Sequence, residues 1–277
     1  MKIIKTVDEF VGWRSKQSNS IGFIPTLGAL HAGHMSLIKQ SKQKCQITIV
    51  SIFLNPTQFS PNEDLDSYPD TLEQDINNLD RLNVDVLFLP SEVEMYQNVD
   101  DVDVTSNELF KKLEGKSRPH FFYGVTTIVS KLFNVIKPSH TFFGEKDAQQ
   151  LIIIKEMIAV MKYPITIISC PTIRDDNGLA LSSRNSYLTI DEKKQAAIIY
   201  QSLMQIKEGL NNGVSNPNSL KDIFKRNIIK NHNMKIDYIS ISDIKTLDEI
   251  SKIEGQKILV STAVFFNNVR LIDNFIY

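Results

Sequence analysis

Cysteine is nearly absent from this chain, with two among 277 residues. Cys45 and Cys170 stand in neither CxxC nor metal-ligand spacing. That excludes a disulfide framework and a zinc ribbon, and it reads as two reduced, buried thiols in a cytoplasmic protein. An excess of either charge is also missing. Thirty-one basic residues face thirty-two acidic ones, for a net charge of −1, which does not favour a nucleic-acid-binding surface. No apolar run is long enough to span a membrane, and the opening Met1-Lys-Ile-Ile-Lys5 leads into a capped segment rather than a secretory signal. The common nucleotide and hydrolase signatures are lacking too. There is no G-x-x-x-x-G-K-[ST], no G-x-G-x-x-G, no G-x-S-x-G, no Cys-His nucleophile pair and no C/H/C zinc set. No internal repeat or low-complexity tract is visible.

What is present is an ordinary globular composition, 42% hydrophobic and 23% charged, long enough for one large or two ordinary domains. Apolar runs alternate with helical patterns. Thr6-Val-Asp-Glu9 has capping-box form and opens a first helix. A strand over 21–25 is followed by a turn and a helix to about Gln43. Ile47–Phe53 is a nearly continuous apolar run, as in a parallel strand buried on both faces. Residues 60–70 are polar with two prolines and read as a loop. A helix follows with Leu72, Ile76, Leu79 and Leu82 on one stripe, then a strand over 84–89. Residues 90–104 read as an irregular acidic surface, and Thr105 to Glu108 as a helix cap with a stop at Gly115. The clearest helix spans 125–137. A strand at 140–143, a helix at 148–162 and a strand at 165–169 complete the alternation. This is the pattern of an α/β, doubly wound parallel sheet.

The alternation stops after Pro171. Thr189-x-x-Glu192 caps one long helix ending at Asn211-Asn-Gly213, a shorter helix spans about 218–230, and strands cover 236–241, 257–265 and 269–272. The boundary falls near 175. It divides a doubly wound domain, 1–175, from a smaller α+β C-terminal domain, 176–277.

Ligands of a doubly wound sheet bind at the carboxyl ends of its strands. Four polar motifs fall there: Thr26 to His34, Asn55 to Gln58, Gly144 to Asp147, and Leu181 to Arg184. His31 and His34, at i and i+3, share one face of a starting helix. Gly28 and Gly33 let backbone approach a ligand closely, and a helix N-terminus suits phosphate. His31, His34, Lys146 and Arg184 are donors for phosphate oxygens, with Ser182 and Ser183 adding hydroxyls. Gln58 and Gln150 are neutral bidentate groups able to hold a hydroxylated organic acid. Together they point to nucleotide chemistry by positioning and charge stabilisation.

The motifs PTLGALHAGH (25–34), SIFLNPTQF (51–59), LEG (113–115), GEKDAQQL (144–151), PTIRDDNGLALSSRNSYL (171–188) and VRLID (269–273) resemble the pantoate–β-alanine ligase family over essentially the whole chain. That family has the Rossmann-like fold of the HIGH-motif nucleotidyltransferases. The resemblance implies ATP-dependent condensation of pantoate with β-alanine to pantothenate through a pantoyl adenylate, releasing pyrophosphate and AMP, with Mg²⁺, in a cytoplasmic homodimer with a C-terminal lid domain. It implies ATP contacts at Leu27, Gly28, His31, Gly33, His34, Gly144, Glu145, Lys146, Asp147, Ile173, Leu181, Ser182, Ser183 and Arg184. Among these, His34, as proton donor, acts with His31, Lys146 and Arg184 in catalysis. Gln58 and Gln150 correspond to pantoate ligands, with Gln58 also near the β-alanine amine, and Asp75 to a Mg²⁺ ligand facing the cleft.

Three departures from the family pattern stand out. Leu27 and Leu181 replace methionines at similar volume. Asp70 stands where an arginine is usual. In Arg118-Pro-His-Phe-Phe-Tyr-Gly124, His120 takes a glycine position and Phe121 the histidine position, so His120 is given no catalytic role. His140 and His232 read as structural or surface residues. Two other functions compete with the ligase: an adenylyltransferase that stops after nucleotide transfer, and a silent nucleotide- or RNA-binding module. The paired glutamines and the C-terminal domain argue against the first, and the near-neutral charge with an intact His31, His34 and Lys146 set argues against the second.

Overall fold

A computed structural model describes residues 1–61, 63–99 and 107–277. The β-branched apolar runs form a parallel sheet in the order β1-β4-β3-β2-β5-β6. The strands are β1 (Lys2–Ile4), β2 (Ile21–Thr26), β3 (Ile47–Ile52), β4 (Val86–Phe88), β5 (His140–Gly144) and β6 (Thr166–Cys170). Every residue of β3 is buried, as its unbroken apolar run requires. Several polar positions inside are paired locally: Thr26 Oγ1 donates to the Ser51 carbonyl at 2.7 Å, and the Ser41 and Thr48 hydroxyls meet at 2.8 Å.

Helices α1 (Val7–Arg14), α2 (Ala32–Lys44), α3 (Leu72–Arg81), α4 (Glu92–Tyr96), α5 (Glu114–Ser117), α6 (Phe121–Ile136) and α7 (Ala148–Val160) cover the sheet. Thr6 caps α1 by accepting from the Glu9 N–H, as its sequence predicts. α6 starts four residues earlier than the helix expected over 125–137. Phe122, Val125, Ile128, Val129, Leu132, Phe133 and Ile136 all enter the main core, where each buried side chain contributes roughly 1.5–3 kcal/mol.

After β6 the chain builds α8 (Ile190–Ala196), α9 (Ile198–Asn211) and α10 (Pro217–Ile228). These pack on an antiparallel sheet of β7 (Met234–Asp243), β8 (Ile258–Phe266) and β9 (Val269–Ile276). This half has its own buried cluster, from Leu179 and Leu203 to Val264 and Leu271. Leu247 and Leu259 instead join the core of the parallel half, so the two halves pack against each other.

Some expectations are corrected. Lys2–Ile4 forms an edge strand against β4, too short for a periodicity to reveal. The 90–104 stretch is not wholly irregular: Ser91 caps α4 through the Glu94 N–H. Thr105 lies outside the described residues, and the cap found nearby is Asn107, which accepts from Leu109 N–H. The helix capped by Thr189 and Glu192 breaks at Ala197 into α8 and α9. Both cysteines are buried and unpaired, as expected.

Candidate active site

In this strand order the chain runs outward from β2 through β3 and β4 on one side, and through β5 and β6 on the other. The gap between the carboxyl ends of β2 and β5 is therefore the topological switch point, where doubly wound sheets bind ligands. The first and third polar motifs follow these two strands directly.

The turn after β2 is held by a buried carboxylate. Asp75, 1% exposed, accepts the Ala29 and Leu30 N–H groups at 2.8 Å each and the Thr71 hydroxyl at 3.1 Å. Ala29 sits in the left-handed region at φ +50° and Gly28 at φ +90°, so the turn is tight and needs this anchor. The structure thus gives Asp75, expected as a metal ligand, an anchoring role under this turn. Both its oxygens are committed to N–H donors, and it lines neither cavity described below. Among the described residues no cluster of three or more His, Cys, Asp or Glu side chains could hold a metal ion.

The two histidines form a reciprocal cap at the start of α2. His31 Nδ1 accepts from the Gly33 N–H at 3.1 Å, and His34 Nδ1 accepts from the His31 N–H at 3.3 Å. Their rings lie 4.2 Å apart. A Cβ at position 33 would stand 2.7 Å from the His31 ring, so glycine is required there. Burial, then Lys146, lowers the His31 pKa to about 4, against a smaller opposing pull from Asp147. Burial, then His31 and Lys146, holds His34 well below its usual value. Both imidazoles are thus neutral near pH 7. Since each Nδ1 accepts, each proton resides on Nε2. The pair offers N–H donors rather than imidazolium charge.

A cavity of about 240 Å³ opens in front of them. Of the residues implied by resemblance, it is lined by Leu27, His31, Gly33, His34, Gly144, Lys146, Asp147, Ile173, Leu181, Ser182, Ser183 and Arg184, together with Gln58 and Gln150. Gly28 and Glu145 line neither cavity. Gly28 shapes the turn, and the Glu145 carbonyl accepts from Asn274 on β9 at 3.1 Å. A larger cavity of about 850 Å³ adjoins the first, between the antiparallel sheet and the loops and helix starts of the parallel half. Arg118, Phe121, Lys146, Asp147, Gln150, Ser182 and Arg184 line both.

The neighbouring glutamines differ in use. Gln149 is buried, accepting from Glu114 N–H and donating to the Leu109 and Lys112 carbonyls, whereas Gln150 faces both cavities. Gln58 ends a short turn whose Asn55 donates to its Oε1 and to the Gly124 carbonyl. Ser183 donates to the Ala29 carbonyl at 2.9 Å and ties the Leu181–Arg184 segment to the turn after β2.

The departing 118–124 segment has a definite structure. His120 is exposed at the start of α6 and makes no capping bond. Phe121 lies under Arg118, whose guanidinium carbon is 3.7 Å from the ring centre. Asp70 is exposed. Arg118 and Tyr68, both lining the smaller cavity, received no role from the sequence. The signals were an arginine three residues ahead of α6 and an aromatic residue in a polar loop.

Comparison with known proteins gives a consistent result. A family model described as pantoate-beta-alanine ligase matches residues 2–276. The pantothenate synthetase of Caldicellulosiruptor saccharolyticus is 44% identical over 273 residues, covering 99% of this chain and 97% of its own. That of Fervidobacterium nodosum is 43% identical over 279 residues, with 100% and 99% coverage. The crystal structure of pantothenate synthetase from Thermus thermophilus superimposes with a TM-score of 0.91 at 34% identity, covering 99% of each chain. A Francisella tularensis pantoate-beta-alanine ligase, crystallised with beta-gamma ATP and beta-alanine, gives 0.77 at 38% identity, covering 99% of this chain and 97% of that one.

Proposed function

The chain belongs to the pantoate–β-alanine ligase family, and on that premise we propose how its cleft divides the work. The protein is a ligase that forms pantothenate from pantoate and β-alanine at the expense of ATP. In our reading the pantoate carboxylate attacks the α-phosphorus of ATP, and pyrophosphate leaves. The amine of β-alanine then attacks the activated acyl carbon, and AMP leaves. Adenylation turns a carboxylate, which has no usable leaving group, into a mixed anhydride. The protein must neutralise charge as pyrophosphate departs and keep water from the anhydride.

The observation that carries this reading is convergence. Neutral His31 and His34, Lys146, Arg184, Gln58 and Gln150 border one cavity at the switch point. His31-Ala-Gly-His34 serves as the HIGH motif, and its two Nε2–H groups donate to phosphate oxygens. His34 stabilises developing charge first as a hydrogen-bond donor. An arriving polyanion raises its pKa and lets it give up a proton to the leaving group. Lys146 and Arg184 meet the phosphates, Ser182 and Ser183 border them, and Ile173 with Leu181 form an apolar wall for the adenine. Gln58 and Gln150 hold the pantoate hydroxyls without offering a charge that competes for cations, and Gln58 lies on the amine's path.

Mg²⁺ would enter with ATP, ligated chiefly by its phosphates, which is the usual mode for this small, strongly hydrated ion. Among the described residues the carboxylates do not form a cage of their own. A lid role for residues 176–277, closing on a domain of 1–175, is supported by the separate core of that half. A cytoplasmic homodimer is proposed from the family resemblance. Among the described residues no helix is long and apolar enough to cross a membrane.

The test is His34→Ala. Losing one preorganised donor to phosphate charge should slow pantoate-dependent ATP–pyrophosphate exchange on the order of 10²–10³-fold. Near-full activity would reduce His34 to a helix cap.

A further inference from the structure

Two adjacent carboxylates in the loop after β3 each grip a different arginine. Glu63 accepts from Arg118 Nε and Nη2 at 2.5 Å each. Asp64 accepts from Arg184 Nε at 2.9 Å and Nη2 at 2.7 Å. Both are side-on bidentate pairs, the geometry that fixes a guanidinium most firmly. All four side chains are largely shielded, from 11% exposed for Arg118 to 28% for Arg184. Further contacts hold the assembly. Arg118 Nη2 also donates to the Gln58 carbonyl at 3.2 Å. The Tyr187 hydroxyl donates to Asp64 at 3.1 Å and to the Ser67 carbonyl at 3.0 Å.

The location of these pairs is informative. The two arginines line both cavities, whereas Glu63 and Asp64 line only the larger one. Each carboxylate takes the Nε–Nη2 edge of its arginine. Among the described residues, Nη1 of either arginine has no hydrogen-bond partner. One edge of each guanidinium is fixed by the protein, and its Nη1 is left unbonded on a side chain that borders both cavities.

We propose that Glu63 and Asp64 are positioning residues for adenylation, holding Arg118 and Arg184 on one loop with their free Nη1 ends presented to the anionic substrates. This rests on the reading that the smaller cavity takes the phosphates of ATP and the pantoate acid. A floppy surface arginine loses rotamer freedom when it binds an anion, and these two are already ordered. Half-neutralised by their carboxylates, they also add directed donors without a large excess of positive charge. The opposite possibility is that the carboxylates are rivals of the substrate, occupying the arginines until ATP displaces them. The two ideas predict opposite signs.

The experiment is steady-state pantoate-dependent ATP–pyrophosphate exchange on the full chain, for Asp64→Asn, Asp64→Glu, Glu63→Gln, Arg184→Lys and the Asp64→Asn/Arg184→Lys double variant. Positioning predicts that kcat falls roughly 10- to 100-fold in Asp64→Asn and in Glu63→Gln. The KM for ATP stays level or rises in Asp64→Asn, and Asp64→Glu recovers part of the lost rate. Because Asp64 acts through Arg184, the double variant should match Arg184→Lys alone within about twofold, since residues in one network do not add. A lowered KM for ATP in Asp64→Asn, multiplicative effects in the cycle, or an unchanged kcat in both single carboxylate variants overturns the proposal. Should Asp64→Asn not fold, Glu63→Gln decides by the same kcat criterion. Absence of exchange in the wild-type chain would overturn the functional reading itself, a result separate from any of these.

Discussion

Replacing Asp75 by asparagine separates an anchor from a metal ligand. The carboxylate accepts two backbone N–H groups at 2.8 Å and one hydroxyl at 3.1 Å, in a site only 1% exposed. Asparagine keeps the shape but presents an NH₂ group where one of these donors points. One charge-assisted bond, typically 1.5–3 kcal/mol, is lost, and a buried N–H is left without a partner at a further 1–3 kcal/mol. A loss of roughly 3 kcal/mol or more follows, seen as an apparent melting midpoint lower by on the order of 5–10 °C. The Ala29–Leu30 backbone, at positive φ for Ala29, should relax and carry His31 with it. Exchange activity should then fall about 10²-fold, the scale of an ångström-size misplacement. The assay is a thermal melt beside exchange measured across a Mg²⁺ titration. An unchanged melting midpoint with a raised Mg²⁺ requirement would refute the reasoning and return Asp75 to the metal.

Two further outcomes are expected. Gly124→Ala would bring a Cβ to within 2.4 Å of the Thr57 carbonyl and 2.8 Å of Gln58 N, so α6 and the Asn55–Gln58 turn must separate. Stability should drop by roughly 1–3 kcal/mol, and the KM for pantoate should rise through Gln58. A KM equal to wild type would detach Gln58 from that role. The second concerns pH. His31 titrates at about 4 in the folded chain, below its ordinary 6.5, so between these values the unfolded state binds more protons. Stability should therefore fall as pH drops from about 6.5 to 4, by roughly 3 kcal/mol for this group. His31→Asn keeps an N-cap acceptor and removes the titration. Urea melts at pH 7, 6 and 5 should show a flatter dependence for that variant, and an identical slope would contradict the assignment.

The parallel half was legible because its strands are β-branched runs and its helices carry clean stripes, with β3 and α6 the strongest cases. The cleft was legible because three polar motifs follow strands of a doubly wound sheet, which gathers strand ends, while the fourth, Leu181–Arg184, folds back onto the turn after β2 through Ser183. What escaped is governed by distant contacts. Asp75 looks like any acidic residue in a first helical turn, and only its two N–H partners, 45 and 46 residues earlier, give it its role. Gln149, unlike its neighbour Gln150, gets its role from buried bonds to Glu114, Leu109 and Lys112, 35 to 40 residues earlier. Glu63 and Asp64 sit in a loop that composition reads only as polar, with partners 55 and 120 residues away. The break at Ala197 has no sequence marker, since alanine favours helix.

The central claim is that this cleft activates pantoate by adenylation before the amine takes part. Incubating the protein with pantoate, MgATP and labelled pyrophosphate, with β-alanine left out, tests it most directly. The account predicts label entering ATP at a rate that depends on pantoate and vanishes without it. Label entering ATP only when β-alanine is present would contradict it, because acid activation would then require the amine.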